Sequence, residues 1–416
     1  MKQEFAKDID WFVKNIESRK RLLPAFAHAA QSMTKEVSTN LDSFIDEHGS
    51  DKVYDEDGEL TQFIVPEEYY RRYGILKRSF QHSAIFSELL PKMTLVSLVS
   101  LFDAFISRLV RTMFRVNPSI LKGSEKQLTF AEISEFENID EAKEYLIGLE
   151  IESLLRCGHD EQFAWLENKL KLPLRKDLPA WETFNELTQR RNLLVHADGL
   201  VTKNYLKDCA KKGIRYGEDV RIGGRLDVPP KYYDNACNCV AEIGIKLAQV
   251  MWRKMLPEEV DAADSSLIQV SFDFLNYADY ELALVVTQFN DIPAIKNATL
   301  ENTYYLKINQ AIALKNLKKE KESLDLLATI DWSASSDIFK LAVAALREDW
   351  SEAADLMESL GPNHKKIGKG EYKQWPVFKW FRKSEEFKKS YEKVFGEEFK
   401  IVGSPASADA KKSADA

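Results

Sequence analysis

Cysteine is scarce in this sequence, with four residues among 416, and so few exclude a scaffold built on disulfides. No uninterrupted apolar run approaches the roughly 18 residues that span a bilayer. The first eight residues also lack the apolar stretch of a signal peptide. We therefore expect a soluble protein of the reducing cytoplasm that makes no contact with a membrane.

Positive charge is in deficit as well. The chain has 58 Lys and Arg residues against 66 Asp and Glu residues, which gives a net charge of −8. An acidic chain is not a general nucleic-acid coat, so any binding of a polyanion requires a local basic patch. The length predicts two or three domains, and a composition of 44% hydrophobic and 30% charged residues is typical of globular proteins with large cores.

The common catalytic and metal-binding motifs are missing. The sequence has no phosphate-binding loop that ends in Gly-Lys-Ser/Thr, no His-Glu-x-x-His zinc motif and no Gly-x-Ser-x-Gly nucleophile elbow. Cys237 and Cys239 lie two apart on a predicted helix and so point to different faces, which favours a buried structural pair over a metal or redox site. We expect no cofactor and no metal.

Apolar residues recur at intervals of three or four along most of the chain, which predicts an all-α fold. Pro24 is expected to kink the first helix or to start a new one. A single small β-hairpin is predicted within 51–66, around the acidic turn 55–58. The acidic turn resembles a calcium-binding loop, but the EF-hand register would put Val53 at the first ligand position, so a solvated turn is favoured. The predicted helices cover 4–47, 67–90, 91–116, 139–156, 159–171, 177–197 and 231–256.

From about residue 267 the pattern changes to short helix pairs. Three similar segments place Ala283, Ser323 and Ala353 at matching positions, with a mean period of about 35 residues. That period resembles the roughly 34 residues of tetratricopeptide helix pairs. The predicted domains are an N-terminal helical extension (1–80), a helical bundle (81–257), tetratricopeptide-like repeats (267–396) and a disordered tail (403–416). A protein partner or trigger is expected at the repeats.

One segment stands out as a site: Arg190-Arg191-Asn192-Leu-Leu-Val-His196, at the end of a predicted helix that Gly199 stops. Asn192 and His196 are four residues apart and share a helix face. Arg191 is about 140° away from His196 around the helix, so only its long side chain can reach the same site. The negative end of the helix favours the imidazolium form of His196.

This segment resembles the Arg-x4–6-His motif of the HEPN superfamily, with its polar residue after the arginine. The resemblance covers roughly 80–256, including an apolar helix with Ser97, Ser100 and Asp103. It implies a metal-independent endoribonuclease, with a role in prokaryotic antiviral defence or as a toxin. The site residues that it implies are Arg191, Asn192 and His196, supported by Asp103 and Arg190. Some family members carry a regulatory tyrosine where this chain has Asp198.

RNA cleavage is coherent with these residue types. RNA carries its own nucleophile, the 2′-OH beside the scissile phosphate. A histidine acts as general base or acid, and an arginine stabilises the charge that develops on the phosphate. One motif supplies one histidine, and the family solution is a homodimer in which two motifs form a composite site.

A basic segment follows the motif. Residues 203–231 contain eight basic and four acidic residues, for a net charge of +4, whereas the rest of the chain carries −12. Such a segment can follow a phosphate backbone, although a solvated loop explains the same charges. The candidate RNA-binding residues are Lys203, Lys207, Lys211, Lys212 and Arg215.

A second function is consistent with the same sequence. The bundle and the repeats would then form a protein-binding module without catalytic activity. Arg191 and His196 would be a structural pair at a helix end. The presence of Asn192 together with both other motif residues favours the nuclease, and an intact site buried away from any groove would favour the binding module.

Overall fold

The computed structural model describes residues 4–123, 126–214, 216 and 220–400. The chain is all-α, with one two-stranded antiparallel sheet, as the spacing of apolar residues and the acidic turn predict. It divides into two compact units, residues 1–257 and 258–416. The division falls where the bundle is predicted to end, but the second unit begins before residue 267. Arg215 and the predicted disordered tail from residue 403 lie outside the described residues.

The first unit contains eight helices in the part of the chain that the structure describes. They are α1 (Glu4–His48), α2 (Tyr70–Val116), α3 (Phe130–Ile133), α4 (Ile139–Leu155), α5 (His159–Leu170), α6 (Ala180–Ala197), α7 (Lys203–Lys211) and α8 (Pro230–Met255). The hairpin strands β1 (Ser50–Tyr54) and β2 (Leu60–Ile64) connect α1 to α2. Asp55 closes their turn by accepting hydrogen bonds from the amides of Asp57 and Glu59 at 3.1 and 2.8 Å.

The two longest helices run through prolines at which the sequence predicts a break. The helix α1 continues through Pro24, and α2 continues through Pro91 and across the predicted domain boundary at residue 80. The two helices pack along each other, and Leu23 and Leu95 are buried next to the prolines. This packing on both sides of each proline offsets the missing backbone hydrogen bond. Residues 4–80 are therefore part of the bundle and its hairpin.

Helix α2 is the central helix of the bundle. It packs against α1, α4, α6 and α8, and its C-terminal half contributes a run of fully buried side chains that includes Phe102 and Phe105. Phe12 of α1 stacks on Phe105 with ring centroids 3.9 Å apart. Gly244 of α8 gives these two rings their space, since a Cβ at Gly244 would lie 2.3 Å from Cε1 of Phe12.

One helical stretch, from Glu67 to Val116, is long and apolar enough to cross a membrane by length and composition. This finding corrects the expectation that no segment approaches that limit. Half of its most apolar 18-residue window is buried inside the protein, and the central helix of a bundle has this apolar character on all sides.

The second unit consists of paired helices. Within the described residues its helices are α9 (Val260–Asn276), α10 (Tyr280–Gln288), α11 (Leu300–Asn316), α12 (Glu320–Ala328), α13 (Asp337–Arg347), α14 (Trp350–Leu360), α15 (Lys369–Gln374) and α16 (Glu385–Phe395). Three pairs, α9/α10, α11/α12 and α13/α14, pack as neighbours. The segment 257–266, which reads as a linker or a helix start in the sequence, is mostly the first turns of α9.

The three pairs share one turn. A residue with positive φ precedes the second helix of each pair: Ala278 at 62°, Lys318 at 62° and Glu348 at 61°. In each case the amide of the next residue donates to a carbonyl five residues earlier, at 2.9–3.0 Å. The predicted repeat positions, Ala283, Ser323 and Ala353, are then all buried on the fourth residue of the second helix. The predicted period is therefore a real structural repeat.

Candidate active site

Helix α6 ends at the predicted glycine stop. Asp198 and Gly199 both have positive φ, 47° and 76°, and the amide of Gly199 donates back to the carbonyl of Leu193 at 3.2 Å. A Cβ at Gly199 would lie 2.9 Å from the carbonyl oxygen of Leu226. Glycine is therefore required here, both because the backbone has positive φ and because the backbone of Leu226 approaches closely.

Arg191 meets Asp103 of α2, as the sequence predicts for the supporting acidic residue. A guanidinium Nη2 donates to Oδ2 of Asp103 at 3.4 Å, and both side chains are partly buried. The Nε atom of Arg191 is buried and has no hydrogen-bond partner among the described residues. The arginine therefore keeps donor capacity that this ion pair does not use.

Sequence reasoning missed a second histidine at this site. His159, the first residue of α5, places Nε2 2.9 Å from Oδ1 of Asp103. Its ring is nearly buried and lies edge-on to Phe184, with centroids 5.2 Å apart. Asp103 thus connects His159 to Arg191, with one carboxylate oxygen for each.

Asn192 and His196 lie at the surface. Both side chains are exposed, and neither makes a hydrogen bond or ion pair within the described part of the chain. They share one face of the last turns of α6, with Val195 exposed beside them. A histidine and an amide without internal partners are available to a ligand from solution.

Arg190 takes no part in this group. It forms an ion pair with Glu186 at 2.8 Å, donates to the carbonyl of Asp227 at 2.9 Å and lies over the ring of Tyr232 at 4.0 Å. Tyr232 in turn donates to Glu186 at 2.6 Å. These contacts fix α6 to the segment before α8 and to α8 itself, so Arg190 is a structural residue and not the supporting site residue that the sequence predicts.

Helices α2 and α6 run antiparallel at the site. Arg225, and with it Lys92 of α2, lowers the pKa of Asp198 at the end of α6, while Asp103 of α2 contacts Arg191 about two turns earlier on α6. Ser97 and Ser100 lie between those two points on α2 and are exposed. Ser97 accepts a hydrogen bond from Nε of Arg19 at 3.4 Å, and Ser100 donates to the carbonyl of Val96 at 3.1 Å.

The basic segment after the motif packs against α6. Helix α7 buries Tyr205 and Cys209 in a small cluster with Leu193 of α6. The opposite face of α7 carries the exposed residues Lys203, Lys207 and Lys211 at intervals of four. Lys211 pairs with Asp208 at 3.4 Å. Lys212 is bound to Asp160 and is less available than predicted.

Cys237 and Cys239 are both buried, and burial raises the pKa of the Cys237 thiol to about 12 and also that of Cys239. A thiol in this state is a weak nucleophile and a weak metal ligand. No group of three or more His, Cys, Asp or Glu residues suited to a metal ion occurs among the residues described.

Comparisons with known proteins add no assignment: no protein-family model, no curated protein and no solved structure matches this chain.

Proposed function

We propose that the chain is a HEPN-type endoribonuclease that cuts RNA at the end of α6. The observation that carries this proposal is the arrangement around Arg191. The arginine is oriented by Asp103, and His196 and Asn192 are exposed on the same helix without internal partners. The exposed position of the motif favours the nuclease over a binding module in which the motif is buried.

The reaction needs only groups of this kind. The 2′ oxygen of RNA attacks the adjacent phosphorus, the 5′ oxygen leaves, and the products are a 2′,3′-cyclic phosphate and a 5′-hydroxyl end. His196 takes the proton from the 2′-OH or gives one to the 5′ oxygen. Arg191 donates to the phosphate oxygens as negative charge develops on them. Lys203, Lys207 and Lys211 hold the flanking backbone.

The test is cleavage by the purified full-length protein in EDTA. We expect cuts in a structured RNA, cyclic phosphate at the new 3′ ends, and no cuts in DNA of the same sequence, because DNA lacks the attacking hydroxyl. Intact RNA after prolonged incubation at high enzyme concentration would contradict the proposal. Cleavage that appears only when Mg²⁺ is added would contradict the mechanism.

A second copy of the chain completes the site in this proposal. Proton transfer at both the 2′ and the 5′ oxygen calls for two groups, and the end of α6 (Arg191–Ala197) exposes a single histidine, His196. The face of α2 beside it offers a contact surface. The residues Phe86, Leu89 and Met93 follow one another at intervals of three and four on the same face as Ser97 and Ser100, and all three are exposed.

These three residues, which we term the α2 apolar stripe, fit a symmetric dimer. Met93 is 57% and Phe86 51% exposed, and adjacent exposed apolar side chains of this size mark protein contacts. The stripe ends at Met93, beside Lys92, whose charge acts on Asp198 at the end of α6. Two copies that pack stripe to stripe about a two-fold axis bring their α6 ends to the same region.

We expect the double substitution Met93→Glu and Phe86→Glu to give a monomer with little RNA cleavage. Charges at the centre of an apolar contact oppose association strongly, while both positions are solvent-exposed in the single chain, so the fold remains. Sedimentation should give twice the chain mass of 47.8 kDa for the unmodified protein and the single mass for the variant.

Phe130→Glu is the matched control. Phe130 of α3 is 86% exposed and lies outside the stripe, so this change should leave both mass and cleavage unchanged. A variant that cuts RNA normally as a monomer would rule out the composite site. A variant that remains dimeric would place the dimer contact elsewhere.

His159 is expected to position Arg191 through Asp103. His159→Ala should lower kcat about tenfold with little change in KM, because Asp103 loses the bond that fixes it and Arg191 loses its orientation. His159→Gln should retain most activity, since its amide nitrogen can donate to Asp103 from a similar position. Equal loss in both variants, at unchanged thermal stability, would refute the positioning role.

A further inference from the structure

The second unit contains a basic cavity that the nuclease proposal does not use. It has a volume of about 570 Å³ and lies where α11 ends and α12 begins, closed on one side by the segment 379–380. Its lining residues are Lys315, Asn316, Lys318, Glu320, Lys321, Lys379 and Trp380. Four lysines and one acidic residue line the cavity, so its walls carry an excess of positive charge.

Two of these lysines are held in place by other groups. Lys315 is 5% exposed and bonds to the carbonyl of Leu346 at 2.7 Å and to Glu348 at 2.9 Å. Lys379 donates to Asn316 at 2.6 Å. Both ammonium groups also lie near the ring of Trp380, at 4.7 and 5.4 Å. The ammonium groups at this wall are therefore already oriented, which lowers the entropic cost of ordering them when a ligand binds.

The other two lysines are available to a ligand. Lys318 and Lys321 are exposed, and neither forms an ion pair with a residue that the structure describes. Lys318 precedes the N-cap residue of α12, Lys319, which provides no side-chain acceptor. Lys321 lies within the first turn of α12, next to Glu320 and Glu322. The first amides of a helix have no partner within the helix. The same end of the cavity therefore combines free cations with backbone donors.

We propose that this cavity binds a small ligand that carries two or more linked phosphate groups. Ammonium groups are the point charges that bind phosphate, and an uncapped helix N-terminus supplies amide donors to phosphate oxygens. Four lysines around one cavity match several negative charges better than one carboxylate. The volume suits a molecule of nucleotide size, since ligand cavities are roughly 300–1,000 Å³.

Two kinds of molecule carry such linked phosphate groups: nucleoside polyphosphates and inorganic polyphosphates. Calorimetric titration of the full-length protein at low salt with ATP and, separately, with tripolyphosphate distinguishes them. We expect both to bind and both affinities to fall as salt rises. Similar affinities would show that the phosphate chain alone is recognised. A Kd for ATP at least tenfold lower than for tripolyphosphate would show that the nucleoside also contributes.

The double substitution Lys318→Glu and Lys321→Glu should raise the Kd at least tenfold. Folding should be preserved, because both side chains are exposed and an acidic residue in the first turn of α12 suits the helix dipole. Lys389→Glu is the control; Lys389 is exposed on α16 and does not line the cavity, so the change should leave the Kd within twofold. Circular dichroism verifies that each variant is folded.

Three results would overturn the proposal. They are no heat of binding for either polyphosphate, an unchanged Kd in the folded double variant, or an equal loss in Lys389→Glu. Binding of a short RNA without binding of either polyphosphate would also reject it and would assign the cavity to nucleic acid. None of these outcomes depends on RNA cleavage, so the polyphosphate site and the nuclease succeed or fail independently.

Discussion

His196→Ala protein is expected to cut RNA at least about 100-fold more slowly than the unmodified protein, since general acid–base catalysis contributes roughly 10²- to 10⁴-fold. The imidazole is exposed at the end of α6 and has no hydrogen-bond partner in the described part of the chain. Its loss therefore removes a proton-transfer group and little else. Initial rates on a 5′-labelled RNA, measured in EDTA, give the ratio.

The control is His28→Ala. His28 is also an exposed histidine within a long helix, so the two variants remove the same group from similar surroundings. Sedimentation separates a chemical defect from a dimerisation defect, because the His196→Ala protein should remain dimeric. If the His196→Ala protein cleaved RNA at the unmodified rate, His196 would have no part in the mechanism. If the His28→Ala protein lost as much activity as His196→Ala, the effect would be nonspecific.

The core of this site could be proposed from the sequence because it lies within one helix. Arg191, Asn192 and His196 span six residues, so helical periodicity alone fixes their relative directions. Asp103 was expected near the site from the family resemblance, and the structure adds its ion pair with Arg191, which the sequence did not specify. Arg190 was misjudged because the motif does not show that its guanidinium lies over Tyr232.

His159 could not be found in this way. It is 56 residues away from Asp103 in the chain, and its neighbours, Gly158 and Asp160, indicate only the start of a helix. The contact is decided by how α5 packs beside α2, which periodicity does not specify. A histidine at a helix start followed by an apolar stripe is a weak signal, since many such residues have no carboxylate partner.

The fold shows the same division between local and long-range information. The all-α class, the hairpin and the matching repeat positions follow from local patterns, and each is present. No new helix starts at Pro24 or Pro91, because packing between α1 and α2 continues past both. The intervals between repeats are uneven because α11 has 17 residues and α13 has 11, and a mean period does not capture that difference.

Gly244→Ala is expected to destabilise the first unit by about 2 kcal/mol, within the usual range for overpacked cores. The new Cβ would lie 2.3 and 2.6 Å from Cε1 and Cζ of Phe12 and 3.2 Å from Cε1 of Phe105. Phe12 cannot turn away easily, because it is fully buried and stacked on Phe105. Thermal unfolding of the full-length protein should show a Tm lower by about 5 °C for that unit.

Gly148→Ala should have the opposite effect and is the matched control. Gly148 also lies within a helix of the first unit, α4, but a Cβ there would meet nothing within 4 Å. Alanine is favoured over glycine in a helix interior by about 1 kcal/mol, so this variant should unfold at a higher temperature. The helix propensity gain is the same at both sites, and the difference between the two variants therefore measures the contact with Phe12. Equal stabilisation by both changes would mean that Phe12 of α1 does not pack this closely against Gly244 of α8.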